Sequence, residues 1–307
     1  REEKHSIGKE RFMKQKKSML ILVGILVALA ILYIGLRFWN QKNSREEEEK
    51  IAVTEEVKLS GLSYTDGTDT MAFKKEDGIW YYEADQEIPM NQTTVEDIVS
   101  KVENLSAVRE LDNPDDLADY GLEEPAYTIR YTTEDEEESI LYIGNTTGEN
   151  YYVTINDTKK VYTITSDLVT SLQFDLSGLV ENDSVPSIGS GNLKKVEVTE
   201  DGMTDTYEEE GELGELAGGF GTLSLTECVD YHVTEEKLLQ YGLDEENRIT
   251  AVATYQDSST EKEETFTIYI GNVEESGTYR YIMAKDSKMV YQVNKDIVKN
   301  MITVEEK

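Results

Sequence analysis

The sequence of 307 residues predicts an α+β fold, in which an N-terminal transmembrane helix precedes two tandem repeats of a mainly antiparallel β-sheet domain with short helices. Three observations lead to this prediction. Residues 19–36 form an uncharged apolar run, several motifs recur in the same order 121 to 129 residues apart, and the acidic remainder alternates apolar and polar residues as half-buried strands do.

The apolar run has the length of a membrane-spanning helix. Its eighteen residues, at about 1.5 Å each, span about 27 Å, which matches the hydrocarbon core of a bilayer. We therefore predict a transmembrane signal-anchor helix at residues 18–39 that contacts the lipid bilayer. By the positive-inside rule, the lysine-rich residues 1–17 form a cytoplasmic tail, and residues 40–50 form a linker.

Two features of this end leave alternatives open. Ala28-Leu29-Ala30 resembles the small-residue site of a cleaved signal peptide, although apolar residues continue for six positions beyond it. Met13 is followed by Lys-Gln-Lys-Lys, as at an ordinary start, so residues 1–12 are expected to be an upstream extension. The predicted localisation is the bacterial cell membrane, with a single pass, a cytoplasmic N-terminus and an extracytoplasmic C-terminal domain.

Charge and cysteine content narrow the classes of partner. Residues 1–45 hold ten Lys/Arg and three Glu, a net of +7, whereas residues 46–307 hold twenty Lys/Arg and sixty Asp/Glu, a net of −40. Such a field excludes nucleic acid as a partner and favours cations or basic protein surfaces. The single cysteine, Cys228, allows no internal disulfide, which for an exported domain favours a bacterial protein. Cys228 is expected to be a small buried residue in a strand.

Self-comparison indicates a duplication. Tyr-Gly-Leu at residues 120–122 recurs at 241–243, and Tyr-Ile-Gly-Asn at 142–145 recurs at 269–272. The landmarks keep their order, and the offset grows only where hairpin loops tolerate insertions. We assign repeat one to residues 51–180, a flexible linker to 181–191 and repeat two to 192–305.

Repeat one is predicted to open with strands near residues 57–64, 70–75 and 79–83. A helix follows, with Thr93 and Glu96 as a capping box, and its apolar face repeats at helical spacing: Val95, Ile98, Val99, Val102 and Leu105. A short helix should begin at Asn113-Pro114. Strands are then expected at 107–111, 127–132, 139–143, 151–155 and 160–164, and a last helical turn at 167–172.

Repeat two follows the same plan. Its first two strands are predicted at residues 193–199 and 204–208. An amphipathic helix over 213–223 is expected to fray at Gly218-Gly219.

The repeated glycines have a structural interpretation. Gly121 and Gly242 would adopt the left-handed conformation just past a helix end, with the next leucine folding back in a Schellman-type cap. Gly144 and Gly271 suit a turn or bulge that needs a positive φ. The residues predicted to form this structural repeat motif are Tyr120, Gly121, Leu122, Tyr241, Gly242, Leu243, Gly144 and Gly271.

Together with the apolar anchor, Gly-Ile-Trp at 78–80, Tyr-Gly-Leu-Glu-Glu-Pro at 120–125 and Tyr-Ile-Gly at 142–144 resemble the bacterial family known as domain of unknown function 4340. The resemblance covers nearly the whole acidic region. Repeat two departs from the pattern, with Glu246 in place of the proline and no counterpart of Trp80. The resemblance implies a membrane-anchored companion of ABC-type or gliding-type transport systems, and it supplies no catalytic residues.

The search for chemistry starts from two histidines, His5 and His232. Cys228 lies four residues before His232, so both side chains would share one face of a strand; packing neighbours are favoured over a Cys-His catalytic pair. The glycines at 214–221 lack the Lys-Ser/Thr of a phosphate-binding loop. We predict no catalytic residue, no cofactor and no metal site, and therefore no enzyme. A hydrolase with paired carboxylates is a minor third hypothesis.

Two weaker binding hypotheses remain. Acidic runs at 134–138 and 261–264 fall on the same hairpin of the two repeats and predict weak calcium or basic-protein binding, with a solvated hairpin tip favoured. Trp80, Tyr81 and Tyr82 place aromatic rings on both faces of one strand, which suggests stacking on sugars.

The preferred function is a non-enzymatic, membrane-anchored extracytoplasmic accessory or scaffold subunit of a bacterial transport or envelope complex, with an ABC-type permease as the membrane partner. The alternative is a cell-wall glycan-binding module.

Overall fold

The computed structural model describes residues 51–54, 57–156 and 159–304. The strands of the first half are β1 Ile51–Ala52, β2 Leu59–Thr65, β3 Thr70–Glu76, β4 Ile79–Tyr82, β5 Ser106–Ala107, β6 Arg109–Glu110, β7 Tyr127–Thr133, β8 Glu138–Thr147, β9 Asn150–Ile155 and β10 Tyr162–Thr165. Those of the second half are β11 Leu193–Glu200, β12 Met203–Tyr207, β13 Cys228–Asp230, β14 Ile249–Gln256, β15 Glu263–Val273, β16 Tyr279–Ala284 and β17 Val290–Asn294.

The helices are short and lie between groups of strands. The α-helices are α1 Gln92–Glu103, α2 Asp167–Ser171, α3 Glu210–Thr222, α4 Glu235–Tyr241 and α5 Lys295–Ile302. Two short 3-10 helices occupy Leu117–Tyr120 and Leu176–Gly178.

The two large sheets have the same strand order. The first runs β4-β3-β2-β7-β8-β9-β10-β6 and the second runs β12-β11-β14-β15-β16-β17-β13, while β1 and β5 form a small third sheet. Beginning at β3 and β12, seven positions correspond one to one, and the helices follow corresponding strands. The first sheet carries one further strand, β4, outside β3. The residue limits assigned to the repeats stay a prediction.

The predicted fold class is wrong. The described residues form three β-sheets with 21% helix, so strands rather than an α+β mixture carry the core. No helix in the described ranges is long and apolar enough to cross a membrane, since the longest, α3, has 13 residues. The transmembrane helix predicted at 18–39 lies outside the described residues.

Helix α1 covers the first sheet with the predicted apolar face, whose residues are all buried: Val95, Ile98, Val99, Val102 and Leu105. Its start differs from the prediction. Asn91 is the N-cap, and its side chain accepts a hydrogen bond from the Thr94 amide. Thr93 is therefore the second helical residue, and no capping box forms there. The other short helix also begins later than predicted, at Leu117, because Asn113 has a φ of 49° and cannot begin a helix.

A buried carboxylate ties the end of α1 to the start of β2. Glu103 is 6% exposed, and it accepts hydrogen bonds from the Leu59 amide at 2.9 Å and the Lys58 ammonium at 2.9 Å. The hydrogen bond from the Leu59 amide places Glu103 where the first sheet and its covering helix meet. A charge at this depth is stable because both carboxylate oxygens are paired.

In the second half, α3 packs against α5. The predicted fraying at Gly218-Gly219 is wrong, since α3 continues to Thr222 and Gly219 is buried. A Cβ at residue 219 would lie 2.5 Å from the Met301 amide nitrogen of α5. The glycine therefore permits the close approach of the two helices.

The segment predicted as a flexible linker, 181–191, is held by specific contacts. Ile188 is 3% exposed and belongs to a hydrophobic core that runs through both halves. The Gly189 amide donates to the Asn192 side-chain oxygen at 2.8 Å, and Asn192 in turn donates to the Gln256 carbonyl at 3.1 Å. These contacts fasten the segment to the second sheet.

Candidate functional site at the junction of the two sheets

The repeated Tyr-Gly-Leu motif ends a helix in each half. Gly121 and Gly242 have φ angles of 70° and 67°, which confirms the predicted left-handed conformation. The Leu122 amide donates to the Leu117 carbonyl at 3.0 Å, and the same bond recurs from Leu243 to Leu238 at 2.8 Å. This is the Schellman pattern, in which glycine avoids the steric cost of a positive φ.

The second repeated glycine packs against that turn. A Cβ at Gly144 would lie 2.2 Å from the Tyr120 carbonyl oxygen, and one at Gly271 would lie 2.2 Å from the Tyr241 carbonyl oxygen. The strand register shifts next to both glycines, so the predicted bulge is confirmed. The predicted positive φ is wrong, because neither residue has one. Close approach of two backbones is the reason for glycine here.

The two motifs therefore contact each other in both halves. Tyrosine pairs complete the contact, with ring centroids 4.8 Å apart for Tyr120–Tyr152 and 4.8 Å apart for Tyr241–Tyr281. In the second half, the Arg280 guanidinium also donates to the carbonyl of the bulge glycine, at 2.7 and 3.0 Å. The tyrosines and glycines of the predicted repeat motif, together with Leu243, lie in this helix-end-to-strand contact.

Asp230 is the buried acid of the second half, at the end of β13. Its carboxylate is 2.8 Å from the Lys237 ammonium and 3.3 Å from the Tyr241 hydroxyl, and it accepts the His232 amide at 3.2 Å. The hydrogen bond and charge of Asp230 raise the pKa of Lys237. Desolvation, and then the negative charge of Asp230, raise the pKa of Tyr241. Both shifts favour the protonated forms, so Lys237 keeps its charge and Tyr241 keeps its phenol proton beside Asp230.

The side chains of Cys228 and His232 make separate contacts. The Cys228 thiol donates to the Asp230 carbonyl at 3.3 Å, and burial raises its pKa to about 11. A thiol in this state is not the thiolate that nucleophilic catalysis needs. His232 lies beyond the end of β13, and its two ring nitrogens contact groups from other parts of the chain.

His232 joins the two halves. Its Nδ1 is 2.8 Å from an Asp85 carboxylate oxygen, and its Nε2 is 3.2 Å from a Glu87 carboxylate oxygen. Lys288, also of the second half, forms an ion pair with Glu87 and lies 3.4 Å from Nε2. We call these four residues, Asp85, Glu87, His232 and Lys288, the junction clamp.

A second set of hydrogen bonds lies beside the junction clamp. The Asp183 amide donates to the Tyr291 hydroxyl at 2.8 Å, and Ser287 donates to the Asp183 carboxylate at 2.6 Å. Burial is the main reason that the pKa of Tyr291 is raised. These bonds connect the segment between the halves to the β16–β17 turn, where Lys288 also lies. Nothing in the sequence pattern identified these contacts, because Asp183 lies 104 residues before Ser287 and 108 residues before Tyr291.

The acidic runs predicted to bind calcium lie on the β7–β8 and β14–β15 hairpins, at the same place in both halves. Within the described ranges, no group of three or more His, Cys, Asp or Glu side chains is arranged to hold a metal ion.

Comparison with known protein families finds one match, in the middle of the chain. Residues 80–219 match the family described as Domain of unknown function (DUF4340). The predicted resemblance is therefore confirmed, but over a shorter part of the chain than expected. No curated protein and no solved structure is significantly similar to the chain.

The DUF4340 region runs from β4 into α3. It contains the first Tyr-Gly-Leu turn, its partner Gly144, and the two acids of the junction clamp. The second Tyr-Gly-Leu turn, His232 and Lys288 lie beyond it. The junction clamp thus links the DUF4340 region to the part of the chain that follows.

Acid is expected to weaken the junction clamp. Burial would raise the pKa of Asp85, but hydrogen bonds from His232 and the Glu87 amide, together with electrostatic attraction to His232 and Lys288, lower it. A hydrogen bond from Lys288 lowers the pKa of Glu87. Both acids therefore contribute stability that is present above their unfolded pKa values, about 3.9 and 4.3, and lost as pH falls through the lower folded values.

The measurement is the free energy of unfolding in urea from about pH 5 to about pH 2. The Asp85→Asn/Glu87→Gln double variant should lose less stability over this window than the wild type. Glu83→Gln removes a charge from the same turn, and Glu83 forms no ion pair among the described residues, so this control should follow the wild type. Equal acid slopes for the double variant and the wild type would show that the junction clamp contributes nothing.

Proposed function

We propose that this DUF4340 chain is a non-enzymatic accessory or scaffold subunit of a bacterial envelope assembly, in which an ABC-type transport complex is the partner. The observation that carries the proposal is that the two reactive side chains, His232 and Cys228, are occupied by structural contacts. Both ring nitrogens of His232 contact groups of the junction clamp, and the Cys228 thiol is held protonated by burial.

This arrangement supports a scaffold function because the polar groups of the junction clamp hold the two sheets together. A general base needs a free nitrogen within reach of a substrate proton. In the junction clamp, carboxylates of the first half face that imidazole and Lys288 stands beside it. Two sheets joined by these contacts provide a broad surface for another protein, which is what an accessory subunit requires.

The placement outside the cytoplasm rests on the sequence and on the family resemblance. An apolar, uncharged run precedes a region with a net charge of −40, the difference between twenty Lys/Arg and sixty Asp/Glu. The ABC-type partner rests on the resemblance alone. Both are therefore part of the proposal.

Affinity purification of the tagged full chain from native membranes tests the proposal. A permease or ATPase recovered at comparable abundance, and absent from an untagged strain, is the expected result. Recovery of the chain alone at good yield would contradict an accessory role. The double variant of the junction clamp, Asp85→Asn/Glu87→Gln, should recover less partner if the joined sheets form the binding surface.

Glycan binding is the second candidate, and one groove favours it. A groove of about 340 Å³ on the first sheet is lined by hydrogen-bonding groups that include Ser63, Arg130 and Glu138. The aromatic argument is weaker than expected, because Trp80 is 1% exposed and belongs to the core. Retention on isolated wall polysaccharide, lost in Arg130→Ala, would support this function over the accessory role.

A further inference from the structure

The two halves differ at one edge of their sheets. In the first half, β4 pairs with β3 and forms the outer edge. In the second half, β12 corresponds to β3, and no described strand lies outside it. The chain from β3 to α1 spans residues 77–91 and includes β4, whereas only residues 208–209 separate β12 from α3. Among the described residues, no strand of the second half therefore corresponds to β4, which covers this edge in the first half.

The backbone of β12 presents hydrogen-bonding groups outward. Asp201 and Gly202 have φ angles of 50° and 75°, as in a two-residue hairpin turn, which makes Glu200 and Met203 the hydrogen-bonded closing pair. Bonded and non-bonded pairs alternate along an antiparallel ladder. The N–H and C=O groups of Thr204 and Thr206 therefore point away from β11, toward the open edge.

The side chains of β12 are also uncovered. The two sheets can be aligned on Tyr-Ile-Gly of β8 and β15, and the strand pairing can then be followed outward to β3 and β12. In this alignment Asp205 corresponds to Met71, and Tyr207 corresponds to Phe73. Met71 and Phe73 are 4% and 0% exposed, whereas Asp205 is exposed and Tyr207 is half-buried. Met203, on the same strand, is 74% exposed. An open strand of this kind is a template for pairing with another chain.

The charge around β12 selects the partner. Acids surround the strand on both sides: Glu200, Asp201, Asp205, Glu208, Glu209 and Glu210. The nearby Lys195 is paired with Glu197. Pairing β12 with a second copy of itself would bring like charges together, which destabilises a sheet. A strand that carries lysine or arginine would be attracted instead.

We propose that β12 is a docking edge that takes an extended, basic segment of a partner protein as an added strand. The proposal rests on the accessory function, because it names the surface through which that subunit holds its partner. Main-chain hydrogen bonds to Thr204 and Thr206 give the affinity, and the surrounding acids give the preference for a basic segment.

The first half shows which side chains suit the added strand. In β4, Trp80 is buried against the core and Lys75 of β3 lies over its ring, 5.6 Å from the centroid. The probe is therefore a fluorescent peptide with the sequence of β4, Ile-Trp-Tyr-Tyr, flanked by two lysines at each end. Its binding to the full chain is measured by fluorescence anisotropy.

Thr206→Pro removes an outward amide but no bond to β11, and Thr206→Ala is the matched control that keeps the amide. We expect Thr206→Pro to weaken peptide binding about tenfold, while Thr206→Ala binds like the wild type. Binding should weaken with added salt, and a peptide flanked by glutamates should not bind. Circular dichroism checks that both variants fold.

Each result decides something. No binding of the basic peptide to the wild type, or equal binding to both variants, would overturn the docking edge. Concentration-dependent dimers that Thr206→Pro abolishes would assign the edge to a second copy instead. A partner that co-purifies as well with Thr206→Pro as with the wild type would overturn the edge and leave the accessory function standing. Loss of the partner only from Thr206→Pro is the expected result.

Discussion

Replacing Gly144 or Gly271 with alanine is expected to lower the free energy of unfolding by about 3 kcal/mol or more. In each case the new Cβ would lie 2.2 Å from a backbone carbonyl oxygen, that of Tyr120 or Tyr241. A side chain could rotate away from this contact, but a carbonyl inside a helix-ending turn cannot. Either the turn or the bulged strand must move, and both are packed into the core.

Urea unfolding of the full chain measures this effect. Gly61→Ala is the matched control, because Gly61 lies in β2 and its added Cβ would be 3.5 Å from the Thr132 side chain, an ordinary contact. We expect this control to change the free energy of unfolding by less than about 1 kcal/mol. If Gly144→Ala behaved like Gly61→Ala, the contact between the two repeated motifs would be refuted.

Alanine substitutions at two adjacent glycines of α3, Gly218 and Gly219, are expected to change the stability of the protein in opposite directions. Alanine at Gly219 would place a Cβ 2.5 Å from the Met301 amide nitrogen and 2.6 Å from the Asn300 carbonyl carbon, so α5 would have to move. We expect a loss of about 2–3 kcal/mol, which exceeds the gain of about 1 kcal/mol in helix propensity. Alanine at Gly218 meets no atom within 4 Å, so it should keep that gain.

Thermal unfolding followed by circular dichroism distinguishes the two variants. Gly218→Ala should unfold at a higher temperature than the wild type, and Gly219→Ala at a lower one. Both substitutions change helix propensity equally, so the difference between them isolates the packing of α3 on α5. Two upward shifts would mean that α3 does not approach α5 as closely as described.

Patterns confined to a few residues were predicted well. The apolar face of α1 follows the helical period, and the positive φ of Gly121 and Gly242 follows from the way a helix ends. The cap of α1 was misplaced, because Thr93-Glu96 and Asn91 both offer capping groups to the same helix start. The predicted fold class was wrong because hydrophobic periodicity identifies individual helices but does not show how much of the core the strands contribute.

Contacts between distant residues could not be predicted in this way. The glycines at 144 and 271 were assigned to bulges, but the carbonyl each one faces belongs to another motif, 24 or 30 residues earlier in the chain. Asp85 meets His232 across 147 residues. Neither partner of such a pair carries a local signal, because the distance between them depends on strand order and on how the sheets pack.

Residue types at short spacing, and comparison of one segment with another, were enough to predict the duplication, the acidic charge, the apolar faces, the helix-ending glycines and the family resemblance. The tertiary structure was needed to show which glycines face a backbone, which acids meet His232, and that no described strand covers the edge at β12. Those features depend on the order of strands in each sheet, and that order arises from packing between segments far apart in the chain.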